Sequence, residues 1–254
     1  MPLLRRILAL VIVAPATLSA TAQMFGETII RYAYARATLS SGESTSEIED
    51  GSLFGPPFIA HASASLAAPG GPSGEANARQ NSSIGPAFVG GSFRATCDVE
   101  SSTSPVTSDA YGLSYLFYTF NLAVTSNVRF VASAEIDSSD LAFDDDPTDR
   151  GGYASVLLMN GAGTSTIAGL TLDLDAGADS LAQSMLLPAG HCRIVAHAEL
   201  RASSAEVTGA PPANGLGHAE VGFSLRVVPA PGTFAPLALS LVLCRRRRTM
   251  NAGS

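Results

Sequence analysis

The sequence predicts an all-β fold, an antiparallel two-sheet sandwich of jelly-roll type. Three observations predict it. From residue 23 to residue 226 apolar and polar residues alternate with period two, the signature of strands buried on one face. Clusters of Gly, Pro, Ser and Asp cut that alternation into strand-length pieces. No run of helical period lies outside the two termini.

Taken in order, residues 27–40 (ETIIRYAYARATLS) set Ile30, Tyr32 and Tyr34 on one parity and Arg31, Ala33 and Ala35 on the other. Residues 58–66, 88–99, 114–124, 128–136, 153–159, 167–174, 192–200 and 218–228 continue in the same manner. In 114–124, Phe117, Thr119, Asn121 and Ala123 oppose Tyr118, Phe120, Leu122 and Val124, and the second set is expected to face the core. Residues 40–85, rich in Ser, Gly, Ala and Pro, read as long loops around a single strand. About nine strands of this kind suit two packed sheets.

Composition narrows the function. The chain of 254 residues has no Lys, and its 15 basic residues are all Arg. Six of them lie at the ends, Arg5, Arg6 and Arg245 to Arg248, while all 22 acids fall between Glu27 and Glu220. Nine arginines against 22 acids leaves the middle at −13, which opposes binding to nucleic acid.

The ends read as address labels. Arg5 and Arg6, the apolar run from Ile7 to Pro15, and Ala20-Thr21-Ala22 before Gln23 have the three parts of a secretory signal, so residues 1–22 are expected to be a signal helix. At the other end, Pro229-Ala230-Pro231-Gly232-Thr233 breaks the last strand, Phe234 to Cys244 is apolar, and Arg245, Arg246, Arg247 and Arg248 follow. A basic cluster behind an apolar helix stays on the cytoplasmic side. The apolar stretch is 11 residues, about 16 Å if helical. Spanning a core of about 30 Å therefore needs flanking residues or local thinning.

That order of parts resembles the PEP-CTERM sorting signal of exosortase-handled proteins, with Ala230 where the family usually has Glu. The resemblance covers residues 229–254. It implies an exosortase-like processing enzyme as partner and transient contact with the inner membrane. The expected destination is the cell surface or extracellular matrix of a Gram-negative-type bacterium. The chain then divides into a signal peptide (1–22), a sandwich domain (23–228) and a sorting tail (229–254).

The domain offers few chemical constellations. His61, His191, His197 and His218 are scattered over strands or their edges. His191 and His197 share parity but stand about 20 Å apart on an extended chain, too far to be joint ligands. There is no His-x-x-x-His, Cys-x-x-Cys or Gly-x-Ser-x-Gly arrangement and no phosphate-cradling Gly loop. The reading is therefore not an enzyme, with no catalytic residues and no required cofactor. Clustered carboxylates in IDSSDLAFDDDPTDR supply hard oxygens of the kind Ca²⁺ prefers. Asp144, Asp145, Asp146 and Asp149 are the candidate ligands, with Asp137 and Asp140 beside them; a solvated acidic loop is the competing reading. Asp173, Asp175 and Asp179 form a second candidate group.

Cys97 and Cys192 fall in strand segments, and an oxidising compartment would permit a disulfide between them; the alternative is two small buried hydrophobes that never meet. The absence of Trp and 7% aromatics argue against a sugar-binding face, and Tyr32, Tyr34, Tyr111, Tyr115, Tyr118 and Tyr153 are mostly expected in the core. The expectation is a non-catalytic surface or matrix protein of structural or adhesive role. A module for Ca²⁺ or extracellular polysaccharide is the second reading, and a secreted hydrolase the third.

Overall fold

A computed structural model describes residues 23–51, 57–100, 106–137, 151–173, 177–204 and 214–229. The signal segment and the tail beyond Pro229, with the helices expected there, lie outside these residues. Among the described residues there is no helix, hence none long and apolar enough to cross a membrane.

Among the described residues, twelve strands form two six-stranded antiparallel sheets. In order they are β1 (Met24–Leu39), β2 (Ser44–Asp50), β3 (Phe58–Ala67), β4 (Ser73–Gly85), β5 (Phe88–Glu100) and β6 (Ser108–Leu122). Then come β7 (Ser126–Asp137), β8 (Gly151–Asn160), β9 (Thr166–Asp173), β10 (Ala178–Leu187), β11 (Gly190–Ser203) and β12 (Asn214–Val227). Sheet A runs β2-β1-β6-β11-β8-β9 and sheet B runs β10-β7-β12-β5-β4-β3.

The pairing is nested. β5 pairs with β12, β6 with β11, β7 with β10 and β8 with β9. This is one antiparallel ribbon, β5 to β8 against β9 to β12, wrapped so that successive strands alternate between sheets. Such wrapping defines a jelly roll. Two hairpins widen it: β3–β4 adds to sheet B beside β5, and β1–β2 adds to sheet A beside β6. The β1–β2 turn closes on Gly42, whose φ of 101° suits glycine.

Period-two burial fixes which side of each strand faces inward. On β6, Tyr118, Phe120 and Leu122 are buried, as their parity predicts. Phe93, Phe130, Leu116, Leu158 and Ile194 complete the bulky part of the core. Toward the added hairpins the inward residues shrink to Ala33, Ala35, Ala37, Ala62, Ala76, Ala78 and Ala95. There the sheets approach closely: a Cβ at Gly112 of β6 would meet Asn77 O of β4 at 2.9 Å and Ala95 Cβ at 3.4 Å. Small side chains are what that gap admits.

Residues 40–85 need correcting, because they hold β2, β3 and β4 rather than loops around one strand. In β4 the inward set is Gly74, Ala76, Ala78, Gln80 and Ser82, a polar and small composition that imitates a loop. β10 was likewise not expected from the alternation; most of its residues are exposed.

Candidate binding face

Five of the six tyrosines stand on the outer face of sheet A, not in the core: Tyr32 and Tyr34 on β1, Tyr111 and Tyr115 on β6, and Tyr153 on β8. Tyr118 alone of the six is buried inside. The expectation that most would pack in the core is thus overturned. The cause is the narrow part of the sandwich. Ala33, Ala35, Ala110 and Gly112 occupy the inward parity of β1 and β6, so the large residues between them must point out.

Strand register aligns these side chains in rows. Tyr32, Tyr115 and His197 lie side by side across β1, β6 and β11. One row along, Tyr34, Leu113, Glu199 and Tyr153 do the same, and on the other side Ile30, Phe117, Val195 and Leu157 form an apolar row. Successive rows are separated by two residues, about 7 Å. The tyrosines, Leu113, Phe117, Val195 and Leu157 are half-buried by one another, and Ile30 is 47% exposed.

The rings form a continuous ladder. Tyr32 and Tyr115 have centroids 5.3 Å apart, Tyr115 meets His197 edge-on at 5.8 Å, and His197 meets Tyr153 at 5.1 Å. Tyr34 and Tyr111 pair beside it at 5.9 Å. All are within the range in which offset or edge-to-face packing is favourable. Arg36 lies over Tyr111 at 5.7 Å and Arg193 over Phe117 at 4.9 Å, so cations border the apolar rows.

One carboxylate sits in the middle. Glu199 Oε2 is 2.9 Å from His197 Nε2, a contact that lies off the ring N–H direction. The nearby His197 holds the Glu199 carboxyl below its usual range, against the opposing effect of burial. Burial and Glu199 push the Tyr111 phenol well above its ordinary value. Tyr32 is raised by burial first, then by Tyr115 and Glu199. Tyr115 is also raised by burial, partly offset by Arg193. Tyr32, Tyr111 and Tyr115 are therefore neutral hydroxyls at physiological pH, able to donate and accept.

The outer face of sheet B is different in kind. It carries Ser63, Asn77, Arg79, Asn81, Ser92 and Arg94, and a shallow groove of about 420 Å³ runs beside the Arg94–Glu220 ion pair at 3.7 Å. His61 and His191 are exposed; His191 Nδ1 lies 2.9 Å from Glu27 Oε2. His197 and His218 are half-buried instead, the latter 3.6 Å from Glu135.

Asp140, Asp144, Asp145, Asp146, Asp149 and Asp175 lie outside the described residues, as do Ala230, Pro231, Gly232, Thr233 and Arg245 to Arg248. Asp137 ends β7, Asp173 ends β9 and Asp179 stands on β10. Among the described residues no group of three metal-ligating side chains converges.

The disulfide is corrected. Cys97 and Cys192 are free and buried. Cys97 Sγ donates to Leu200 O at 3.2 Å, eight residues along β11 from Cys192 and so about 26 Å away in an extended strand. They sit at opposite ends of the sandwich, and the reading of two small buried hydrophobes is the one that holds.

The face offers rings, hydroxyls and bordering guanidinium groups, and at its end the Ser203 hydroxyl donates to the Asp109 carboxylate. Rings of this kind can pack against apolar C–H groups, while hydroxyls and guanidinium groups beside them can form hydrogen bonds. No protein-family model matches the chain, and no curated protein matches it at a significant level.

Proposed function

We propose that this chain is an exported, non-catalytic adhesive protein of the bacterial surface or extracellular matrix. Its jelly roll binds extracellular polysaccharide through the outer face of sheet A. The observation that carries this reading is the ladder Tyr32–Tyr115–His197–Tyr153, whose rings lie on the outside of the sheet. A pyranose presents C–H bonds on its faces and hydroxyls on its edge. A row of rings beside tyrosine hydroxyls, Glu199 and Arg36 complements both features. Delivery rests on the sequence: the signal-like residues 1–22, and the Pro-Ala-Pro-Gly-Thr, apolar and Arg-cluster tail that resembles exosortase-sorted proteins.

Affinity electrophoresis of the purified chain through gels containing neutral or acidic polysaccharides tests the binding. At least one polysaccharide should retard the wild type. The Tyr153→Ala variant, whose ring ends the ladder, should lose most of that retardation while keeping its far-UV spectrum. Free migration in every gel, or equal retardation of the variant, would count against the proposal. Mass spectrometry of the chain recovered from its producing cell tests the sorting. A mature form lacking Arg245 to Arg248 is expected, and a form that retains them would indicate simple anchoring.

A further inference from the structure

A sandwich has four open sheet edges, and an unpaired edge is a template for another strand unless something blocks it. Here the edges are β2 and β9 of sheet A and β3 and β10 of sheet B. Three of them are guarded. β3 has its outward backbone donors occupied: His61 N–H donates to Glu49 Oε2 and Ser63 N–H to Glu47 Oε2, each at 2.7 Å. β2, which supplies those carboxylates, is seven residues long and carries Glu47, Glu49 and Asp50. β9 is eight residues long, and its pairing with β8 breaks register between Leu158 and Met159. Short length, charge and irregularity are the usual ways of blunting an edge.

β10 is ten residues long and regular. It pairs with β7 in unbroken register from Ala178 to Leu187. Its sequence, ADSLAQSMLL, contains one charge, no Pro and no Lys. Leu186 is 64% exposed, and among the described residues no strand pairs with the outer edge of β10. Leu181 and Met185 point inward and pack at the margin of the core.

We propose that two copies of this chain join through β10, antiparallel, to make one continuous sheet across a two-fold axis. The strand is suited to pairing with itself. Inward residues must meet inward residues, because a one-residue slip would reverse every side chain. With the axis at Gln183, Leu181 lies opposite Met185 of the partner subunit, and the same contact recurs on the other side of the axis. Asp179 then faces Leu187 of the partner subunit, so no like charges oppose one another. With β2, β3 and β9 guarded, an isologous contact consumes the one unguarded edge among the described strands and so closes the assembly at two copies.

Sedimentation of the purified chain over a range of concentrations provides the test. The wild type should approach twice its monomer mass, 26.0 kDa for the unprocessed chain, as concentration rises. Gln183→Lys places two like charges on the axis and should shift the protein to monomer, and Gln183→Glu should do the same. Mixing the two variants should restore a dimer, which also demonstrates that both are folded. A third variant, Gln183→Cys, should form a disulfide-linked dimer on mild oxidation, to a greater extent than the wild type with Cys244. A wild type that stays monomeric throughout overturns the proposal. So does a Gln183→Lys chain that dimerises unchanged, or a Gln183→Cys chain that does not cross-link.

Discussion

If the outer face of sheet A is a packed ladder, its rings must be energetically coupled, and a double-mutant cycle on Tyr32 and Tyr115 measures this. Tyr115 touches two rings, Tyr32 at 5.3 Å and His197 at 5.8 Å. Each such contact contributes about 0.5–1.5 kcal/mol beyond area burial. With the loss of a half-buried ring body, Tyr115→Ala should lower unfolding stability by about 2–3 kcal/mol. Tyr32→Ala should lose less, since it shares one of these two contacts. The double variant should be less destabilised than the sum of the two by about 1 kcal/mol, the worth of one ring pair. Urea denaturation followed by far-UV circular dichroism suits a chain without Trp, and equal m values across the four proteins are required before the free energies are compared. Additivity to within about 0.3 kcal/mol would refute the ladder and leave the tyrosines as independent surface residues.

Two further outcomes follow from the same geometry. Since Cys97 and Cys192 are free, and burial pushes the Cys97 thiol up to about 12, the melting temperature should be the same with and without dithiothreitol; a marked fall under reduction would contradict the placement of the two strands. Glu199 is held below its usual range by His197, so its ionised form adds stability above the unfolded carboxyl pKa of about 4.3, and that contribution is lost as pH falls through the lowered folded value. The stability difference between wild type and Glu199→Gln, read by denaturation from pH 7 to pH 3, should therefore shrink in the acid range, and a difference independent of pH would remove Glu199 from the pairing.

Where the inward residues are large, alternation alone orients the strand. Tyr118, Phe120 and Leu122 show this on β6, against Thr119 and Asn121 on the other parity. The N-terminal half of the same strand carries the opposite signal. Tyr111, Leu113 and Tyr115 alternate with Ala110, Gly112 and Ser114, and it is the small set that is buried. Hydrophobicity ranks the parities the wrong way round there. The deciding quantity is the distance between sheets, which depends on residues such as Asn77 and Ala95 far away in sequence. β4 was obscured for the same reason, since Ala76 and Ala78 can fill a narrow gap without resembling a core. The pairing that makes β10 an edge is likewise a property of the closed fold.

The narrow half of the sandwich and the aromatic face are thus one feature seen from two sides. A sheet pair held together by Ala and Gly buries little apolar area per residue, and a domain of this size would ordinarily favour larger side chains inside. β1 and β6 instead place their bulk outside, where Tyr32, Tyr34, Tyr111 and Tyr115 shield one another and lie against Arg36, His197 and Glu199. Stability alone does not call for that inversion. Exchanging parities, as in a chain carrying Tyr32→Ala with Ala33→Tyr, would clash with the opposing sheet, so the inversion cannot be undone locally. The narrow gap thus forces a face of rings, neutral hydroxyls and guanidinium groups outward, and that face is the surface on which the proposed binding rests.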